Sequence, residues 1–264
     1  MSSARLAVAA VAIAVAAAAP CARAAEGDAP DDAPQATPYR PSVSTPAQLS
    51  APGWLEVEAG GIRARAADGS RRESAPVTLK LAFTPDWGVR VSTDAWARLR
   101  DSGGAQTSGG GDTVFVVKRR FAVDEASAFG LEGALSWPSA KSGLGSDGAD
   151  VSVNAIYSAD LPAGLHTDIN VIATRLQHVD PGTGRVQWLW AASLAKALDD
   201  RWGVTIEPSG THREGVEGSA QLLGAVTFSA SRRVVLDAGL ARSLRHGERE
   251  RSAFAGITWL AARL

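Results

Sequence analysis

The residues best placed to do chemistry in this sequence are polar side chains that recur at every second position. His166, Asp168 and Asn170 have this spacing, which puts all three on one face of a β-strand. One interpretation is a membrane-embedded hydrolase that uses His166 with a nearby serine. The simpler interpretation is a polar wall, because alternate positions of any strand line up without a functional reason. We prefer the second interpretation.

Other motifs for catalysis or cofactor binding are absent from the sequence. The four histidines, at 166, 178, 212 and 246, lie far apart, and no metal-ligand spacing or G-x-S-x-G motif occurs. The glycines at 103–104 and 109–111 precede no strand-to-helix unit, which argues against a nucleotide site. With 27 basic and 28 acidic residues, the formal net charge of −1 gives no indication of a nucleic-acid partner. The sequence therefore predicts a non-enzyme without metal or cofactor.

The elements that carry these side chains are strands, and residues 77–98 show the pattern most clearly. V-T-L-K-L-A-F-T and W-G-V-R-V-S-T-D-A-W-A-R alternate apolar with polar residues around the turn Pro85-Asp86. Membrane-spanning strands need about nine to eleven residues, more than the usual globular strand. We therefore predict a transmembrane hairpin with its polar face toward a wet lumen. The predicted lumen-lining residues are Lys80, Arg90, Asp94, Arg98, Glu132, His166, Asp168, Glu207 and Asp237.

Similar runs continue to the end of the chain and predict an all-β, antiparallel up-and-down barrel of about twelve strands. The predicted strands are 54–66, 75–84, 87–99, 113–123, 126–137, 149–159, 164–176, 186–198, 201–212, 218–229, 233–244 and 252–264. Connections after even-numbered strands are short and those after odd-numbered strands are long. This sorting is typical of outer-membrane barrels with periplasmic turns and extracellular loops, and it places both termini in the periplasm.

Aromatic residues fit the same topology. Trp54, Trp87 and Trp202 would lie at the periplasmic rim, and Trp137, Trp188 and Trp190 at the outer rim. Two aromatic belts are what membrane interfaces favour. Tryptophans in the core of a soluble β fold, such as a periplasmic lipocalin-like barrel, are the alternative.

The first 53 residues predict secretion and a leader. Arg5, an apolar run over 6–19 and the motif Ala22-Arg23-Ala24 indicate a cleaved signal peptide over 1–24. The single cysteine, Cys21, precedes the cut, so the mature chain has no thiol. Residues 25–53 are rich in Pro and Ala, which prevents a long strand or helix. We interpret them as a periplasmic leader to the barrel at 54–264, and leave open that they fold into the lumen as a partial plug.

Several stretches resemble the family of outer-membrane transporters labelled for the meta-pathway of phenol degradation. They are Y-R-P-S-V-S-T-P at 39–46, P-G-W-L-E-V-E-A-G at 52–60, S-W-P-S-A-K-S-G-L-G at 136–145, L-D-A-G-L at 236–240 and F-A-G-I-T-W at 254–259. The resemblance covers most of the mature chain and implies a barrel that takes up small, often aromatic, compounds. It supplies no catalytic residues.

Together these patterns predict an outer-membrane channel or transporter for small solutes, hydrophobic or aromatic ones included. The alternative is a non-conducting structural or binding barrel of the same membrane. Expected partners are outer-membrane lipids, the solute and the barrel-assembly machinery, which could recognise the last strand with Phe254, Leu260 and Leu264 on one parity. The mixed charges of the lumen argue against strong ion selectivity.

Overall fold

A computed structural model describes residues 34–244 and 250–264. The predicted signal peptide, its cleavage site and residues 25–33 of the leader lie outside these residues. The described residues form thirteen strands and one short 3-10 turn, Pro162–Gly164. The strands are β1 (Trp54–Arg65), β2 (Arg71–Ala82), β3 (Trp87–Arg100), β4 (Gln106–Gly109), β5 (Thr113–Ala122), β6 (Ser127–Trp137), β7 (Asp150–Leu161), β8 (Leu165–Arg175), β9 (Val186–Ala197), β10 (Trp202–Arg213), β11 (Ala220–Ser231), β12 (Val234–Ser243) and β13 (Arg251–Arg263). No helix within these ranges is long and apolar enough to cross a bilayer.

Twelve of the strands close into a single antiparallel barrel. Each strand pairs with its neighbours in chain order, and β1 closes the ring by pairing with both β2 and β13. The short strand β4 pairs with the end of β3 and extends it beyond the barrel wall. Closure leaves no unpaired edge in the ring, which a sheet in a bilayer requires. The predicted twelve-stranded antiparallel barrel is confirmed.

The two faces of the barrel differ in polarity as the alternation predicts. On β6 and β7, Leu131 and Val153 are 46% and 51% exposed and point outward. Their neighbours Glu132 and Asn154 are 3% and 5% exposed and point inward. An apolar outer face around a polar interior is the arrangement of a membrane barrel and the reverse of a soluble one.

Connections sort by length between the two ends of the barrel. At one end the turns after β2, β5, β7, β9 and β11 contain two to four residues, and we call it the short-turn end. At the other end the connections contain five to twelve residues, and we call it the long-loop end. Both termini of the barrel lie at the short-turn end, where the Leu264 N–H donates to the Gly53 carbonyl at 2.8 Å.

Side chains close the tight turns at the short-turn end. Asp124 accepts hydrogen bonds from the Ser127 hydroxyl and the Ala126 N–H, and these bonds hold the pKa of Asp124 below its usual value. Asp199 accepts from the N–H groups of Arg201 and Trp202, with the same lowering effect on its pKa. An ionised aspartate at the first turn position therefore fixes these hairpins.

A β-bulge in β3 reverses the faces near its long-loop end. Pro76 on β2 lies opposite Asp94, but Ala75 lies opposite Trp96, so Ala95 is an extra residue without a partner. An extra residue inverts the alternation beyond it. Trp96 therefore moves to the outer face, and Arg98 moves with it.

Candidate functional site

The interior of the barrel is occupied by residues 34–53, which we call the lumen segment. It starts at the short-turn end, where the Ala36 N–H donates to the Arg232 carbonyl at 2.8 Å. It leaves at the same end, where the Gly53 N–H donates to the Ala82 carbonyl at 2.8 Å. Between these points it contacts inward side chains in the middle of the strands. Of the two conformations that the sequence left open, these residues adopt the one inside the lumen.

The first arm of the lumen segment, which includes Thr37 and Tyr39, binds to a buried lysine and two glutamates. Lys80 Nζ lies 2.5 Å from Glu56 Oε1 and 2.6 Å from Glu58 Oε1, and it donates to the Thr37 carbonyl at 2.7 Å. The Thr37 N–H donates to Glu56 Oε2 at 2.8 Å, and the Tyr39 N–H donates to Glu58 Oε1 at 2.6 Å. Backbone groups of the segment therefore complete an ion cluster that belongs to the wall.

Tyr39 lies among cations. The ring centroid is 3.9 Å from Lys80 Nζ and 4.3 Å from Lys118 Nζ, both within the range of cation–π attraction. The Tyr39 hydroxyl accepts from Lys118 at 3.0 Å and donates to the Gln48 carbonyl at 2.8 Å. The bond to Gln48 ties the first arm of the segment to its returning arm.

Arg40 anchors the segment to β12, two strands from β1 around the barrel. Its Nε and Nη2 atoms each lie 3.0 Å from one oxygen of Asp237, a bidentate pair. The guanidinium rests against the backbone at Gly60 and Gly256, where a Cβ would come within 2.7 Å of it. Glycine at both positions therefore leaves the room that Arg40 fills.

The tip of the segment is held by Glu207 and Asn170. Glu207 accepts from the Val43 N–H at 2.8 Å, the Ser44 N–H at 2.9 Å and the Ser44 hydroxyl at 2.5 Å. Asn170 accepts from the Thr45 N–H at 3.0 Å and donates to the Thr45 carbonyl at 2.9 Å. Because these contacts engage backbone groups, they fix the path of the chain across the lumen.

The returning arm of the lumen segment, which includes Pro46 and Ala47, is bound by Lys118 and Ser158. Lys118 donates to the Pro46 carbonyl, and the Ala47 N–H donates to Ser158 Oγ at 2.7 Å. Ala47 itself is fully buried against the wall. Within the described residues, inward side chains from eight of the twelve barrel strands hydrogen-bond to the segment, namely from β1, β2, β5, β6, β7, β8, β10 and β12. The segment therefore obstructs the lumen at mid-depth.

Most of the predicted lumen residues point into the barrel. Lys80, Glu132, Glu207 and Asp237 are buried there, and Arg90 pairs with Glu132 at 3.2 Å. Asp94 also faces inward and pairs with Arg72 at 3.0 Å. Arg98 is the exception: beyond the bulge it lies on the outer face, over the Trp96 ring at 5.5 Å and paired with Glu73. Strict alternation failed for Arg98 because an inserted residue was not visible in the sequence pattern.

His166 and Asp168 lie inside the barrel near the short-turn end. His166 Nδ1 is 2.6 Å from Asp160 Oδ1, and its Nε2 is 3.2 Å from Asp168 Oδ1. The Ser158 hydroxyl donates to Asp168 at 2.5 Å, so the nearby serine is oriented by a carboxylate and not by the imidazole. A serine hydrolase of the kind considered above needs the serine hydroxyl hydrogen-bonded to the histidine. Ser158 and His166 do not form that pair, because both ring nitrogens of His166 face aspartates. The described residues also contain no group of three or more His, Cys, Asp or Glu side chains placed to hold a metal ion.

Sequence reasoning missed the wall residues that bind the first arm. Glu56 and Glu58 alternate with apolar residues in W-L-E-V-E, so the pattern that identified Lys80 would have placed them inward as well. Tyr39 and Arg40 carry no such signal, because their segment has no periodicity. Both belong to the stretch 39–46 that carries the family resemblance, and this stretch runs from the first arm through the tip of the lumen segment.

The predicted interface tryptophans lie at the two ends of the barrel. Trp87 and Trp202 are at the short-turn end, and Trp137, Trp188 and Trp190 are at the long-loop end, all between 42% and 55% exposed. Trp54 differs, because it is partly buried against a cluster of Ala36, Val235 and Leu260. The Arg233 guanidinium also lies 4.5 Å from the centre of its ring. Their contact with membrane interfaces stays a prediction.

One side of the lumen segment borders a cavity of about 350 Å³ in the short-turn half of the barrel. The wall opposite the segment comes from β8 to β11. The polar residues around the cavity include Arg40, Ser44, His166, Asp168, Ser193 and Thr227. The interior is thus obstructed at mid-depth but not filled.

Comparison by sequence finds no matching family model and no matching curated protein. Comparison by structure finds a COG4313 outer membrane channel from Pseudomonas putida F1, with a TM-score of 0.61 and 14% identity over 80% of this chain and 97% of that one. The NanC porin matches with a TM-score of 0.56 and 10% identity over 78% of this chain and 98% of the porin. The CymD monoaromatic hydrocarbon channel matches with a TM-score of 0.50 and 9% identity over 79% and 88% of the two chains. At these identities the similarity establishes the fold, which is that of outer-membrane barrels.

Proposed function

We propose that this chain is an outer-membrane channel for small solutes and that the lumen segment is its plug. In this proposal the short-turn end faces the periplasm and the long loops face the cell exterior, as in other barrels of this type. The similarity to channels, among them one named for monoaromatic hydrocarbons, supports a transport role over a purely structural one.

The observation that carries the proposal is the nature of what obstructs the lumen. A tethered piece of the chain obstructs it, and the tether is Gly53, just before β1. Its contacts are mostly hydrogen bonds and ion pairs, which water and solute can replace at a net cost of about 1 kcal/mol per neutral hydrogen bond and about 1.5–3 kcal/mol per hydrogen bond to a charged group. A segment held in this way at one end can withdraw through the short-turn end and leave a polar channel.

The cavity beside the plug supports small solutes as the cargo. Its volume of about 350 Å³ falls at the lower end of the range of ligand sites, roughly 300–1,000 Å³. A solute of one aromatic ring with polar substituents suits this size and its polar lining, in line with the family resemblance. Charges of both signs around the cavity favour neutral or weakly charged solutes over strongly charged ones.

Planar-bilayer recordings on two deletions test the proposal. Removing residues 34–52 takes away the plug, and we expect a conductance at least several-fold above that of the full mature chain. Removing only 25–33 keeps the plug and serves as the matched control, with conductance expected to equal that of the full chain. A folded barrel that lacks 34–52 and still passes neither ions nor solute would contradict the proposal.

A second candidate is a non-conducting barrel that binds a ligand or serves a structural role. The contacts from eight strands at mid-depth favour it, because they close the lumen on nearly all sides. The same recordings separate the two functions. A binding barrel is expected to show no conductance after residues 34–52 are removed and still to bind solute in solution.

A further inference from the structure

The outer face of the barrel carries a row of five arginines at the long-loop end. The five lie on adjacent strands, and each is the direct cross-strand partner of the next, in the order Arg242, Arg251, Arg65, Arg71 and Arg100. Like charges directly opposite each other destabilise a sheet. A row of five such neighbours is therefore a site that an anion would stabilise, and no described carboxylate forms a salt bridge with it.

These arginines point away from the lumen. Arg242 shares its strand face with Leu240, which is 67% exposed on the outer surface. Arg100 shares its face with Trp96, beyond the bulge that turns this part of β3 outward. The row can therefore contact the surrounding membrane but not the plug.

In the next row of outward residues toward the middle of the barrel, a carboxylate neutralises the arginines. Glu73 lies between two arginines, 3.5 Å from Arg63 and in contact with Arg98. In contrast, no salt bridge among the described residues joins any of the five row arginines to a carboxylate. Thus Glu73 forms salt bridges with both arginines of the row nearer the middle of the barrel. The five arginines at the long-loop end have only one another as direct partners across the strands.

An apolar groove of about 740 Å³ runs along the outer wall directly below one end of the row. Gly224 and Ala238 form its floor, where small residues lower the surface between strands. Its sides and its upper margin are formed by Ile206, Leu222, Val226, Leu240, Arg242 and Arg251. The two margin arginines belong to the row, so the groove and the row form one continuous surface.

We propose that this surface binds a phosphorylated glycolipid of the outer leaflet, with an acyl chain in the groove and phosphates on the arginines. Guanidinium groups bind phosphate through paired, charge-assisted hydrogen bonds. With strands about 4.8 Å apart, five arginines span about 19 Å, too wide for the single phosphate of a phospholipid. A disaccharide headgroup with a phosphate at each end, as in lipid A, can contact arginines in two different parts of the row. The inference rests on the proposed location, with the long loops at the cell exterior.

Native mass spectrometry of the folded, full-length mature chain in detergent tests this binding, with bisphosphorylated lipid A as the probe. The double variant Arg242→Gln/Arg251→Gln removes the arginines at the groove. The matched control, Arg119→Gln/Arg175→Gln, removes two exposed arginines elsewhere on the outer face. A third variant, Arg242→Lys/Arg251→Lys, keeps the charge. Heat-modifiable electrophoretic mobility verifies that every variant is folded.

We expect the row variant to weaken lipid A binding by more than about tenfold, since charge-assisted bonds are lost. The affinity of the control for lipid A should stay within about twofold of that of the parent, and the lysine variant should retain most of the binding. Lipid A without its phosphates should bind the parent weakly, to about the extent that intact lipid A binds the row variant. Equal loss in the row variant and the control would overturn the proposal. Displacement of lipid A by equimolar inorganic phosphate would also overturn it, because the site would then be one for free phosphate.

Recordings in phospholipid bilayers without lipopolysaccharide separate this inference from the channel function. The row variant should conduct like its parent there, because the row does not face the lumen. Conductance without phosphate-dependent lipid binding would overturn the lipid site alone. Phosphate-dependent binding to a barrel that never conducts would overturn the channel function and leave the lipid site standing.

Discussion

The cations inside the barrel and those on its outer rim differ in what neutralises them. Inside, Lys80, Lys118, Arg90 and Arg40 each have a carboxylate oxygen within 3.4 Å. On the outer rim, each of the five row arginines has another arginine as its nearest cross-strand partner. The interior is neutralised by the chain itself, partly through the lumen segment, whereas no described carboxylate forms a salt bridge with the row on the rim.

This difference predicts where the loss of a charge lowers the stability of the barrel most. Breaking a buried ion pair by removing one partner costs about 3–5 kcal/mol, because the other charge stays buried and unpaired. An exposed ion pair contributes about 0–1 kcal/mol. Substitutions in the lumen should therefore change stability and gating strongly, and substitutions on the rim should act through the bound lipid.

The largest effect is expected from Lys80→Met. It leaves Glu56 and Glu58 buried without a cation and should lower the free energy of unfolding by about 3–5 kcal/mol. Equilibrium urea unfolding in detergent or lipid vesicles measures the loss. Lys196→Met, at an exposed lysine, is the control and should change stability by less than about 0.5 kcal/mol. Equal losses for the two variants would show that the buried cluster has no special role.

Arg40→Ala should release the plug without unfolding the wall. It removes the bidentate pair with Asp237, a contact between plug and wall worth about 1.5–3 kcal/mol per charged hydrogen bond. We expect the open-channel probability in planar bilayers to rise at least about tenfold. The double variant Arg40→Ala/Asp237→Ala should unfold at a higher urea concentration than Arg40→Ala alone, since no unpaired charge remains. An unchanged open probability in Arg40→Ala would argue against Arg40 as an anchor.

Glu207→Gln should loosen the tip by a smaller amount. The amide keeps an acceptor for one of the Val43 and Ser44 donors but loses the charge that all three hydrogen bonds share. We expect a cost of about 1–2 kcal/mol to plug closure, seen as an open probability between those of the parent and Arg40→Ala. An effect as large as that of Arg40→Ala would mean that the tip, and not the arginine anchor, dominates closure.

The smallest effect is expected on the rim. In detergent without lipid A, Arg251→Gln removes two like-charge contacts and should leave stability unchanged or raise it by up to about 0.5 kcal/mol. With lipid A present, the parent should gain thermal stability and Arg251→Gln should gain less. Arg175→Gln should respond to lipid A as the parent does, and a reduced response there would point to a general charge effect.

Much of the fold could be predicted from the sequence, because the bilayer imposes a simple rule on every strand. Alternation and turn residues were sufficient for the twelve barrel strands and the short and long ends. Alternation failed where the ladder is irregular: the bulge at Ala95 inverted Arg98, and β2 starts at Arg71, four residues before its predicted start. Charged residues at the start of β2 weaken the apolar signal there, so the start of this strand was predicted too late.

The plug could not be predicted in the same way. Residues 34–53 have no periodicity, and their conformation depends on partners far away in sequence, such as Glu207 for Ser44 and Asp237 for Arg40. The inward charges were predictable one by one, but not that a proline-rich leader would bind them. The arginine row was equally hidden, because its five members become neighbours only through the strand register.

A reversible cross-link between the tip and the wall tests the plug most directly. Thr45 Oγ1 lies 3.2 Å from Asn170 Oδ1, and a mature chain that starts at residue 25 has no other cysteine. Thr45→Cys/Asn170→Cys, joined by a disulfide or a short bis-thiol linker in the Arg40→Ala background, can be recorded in planar bilayers before and after cleavage of the link. We expect closed barrels while the link is intact and open channels once it is cut. Equal conductance in both states would contradict the account of residues 34–53 as the plug of this barrel.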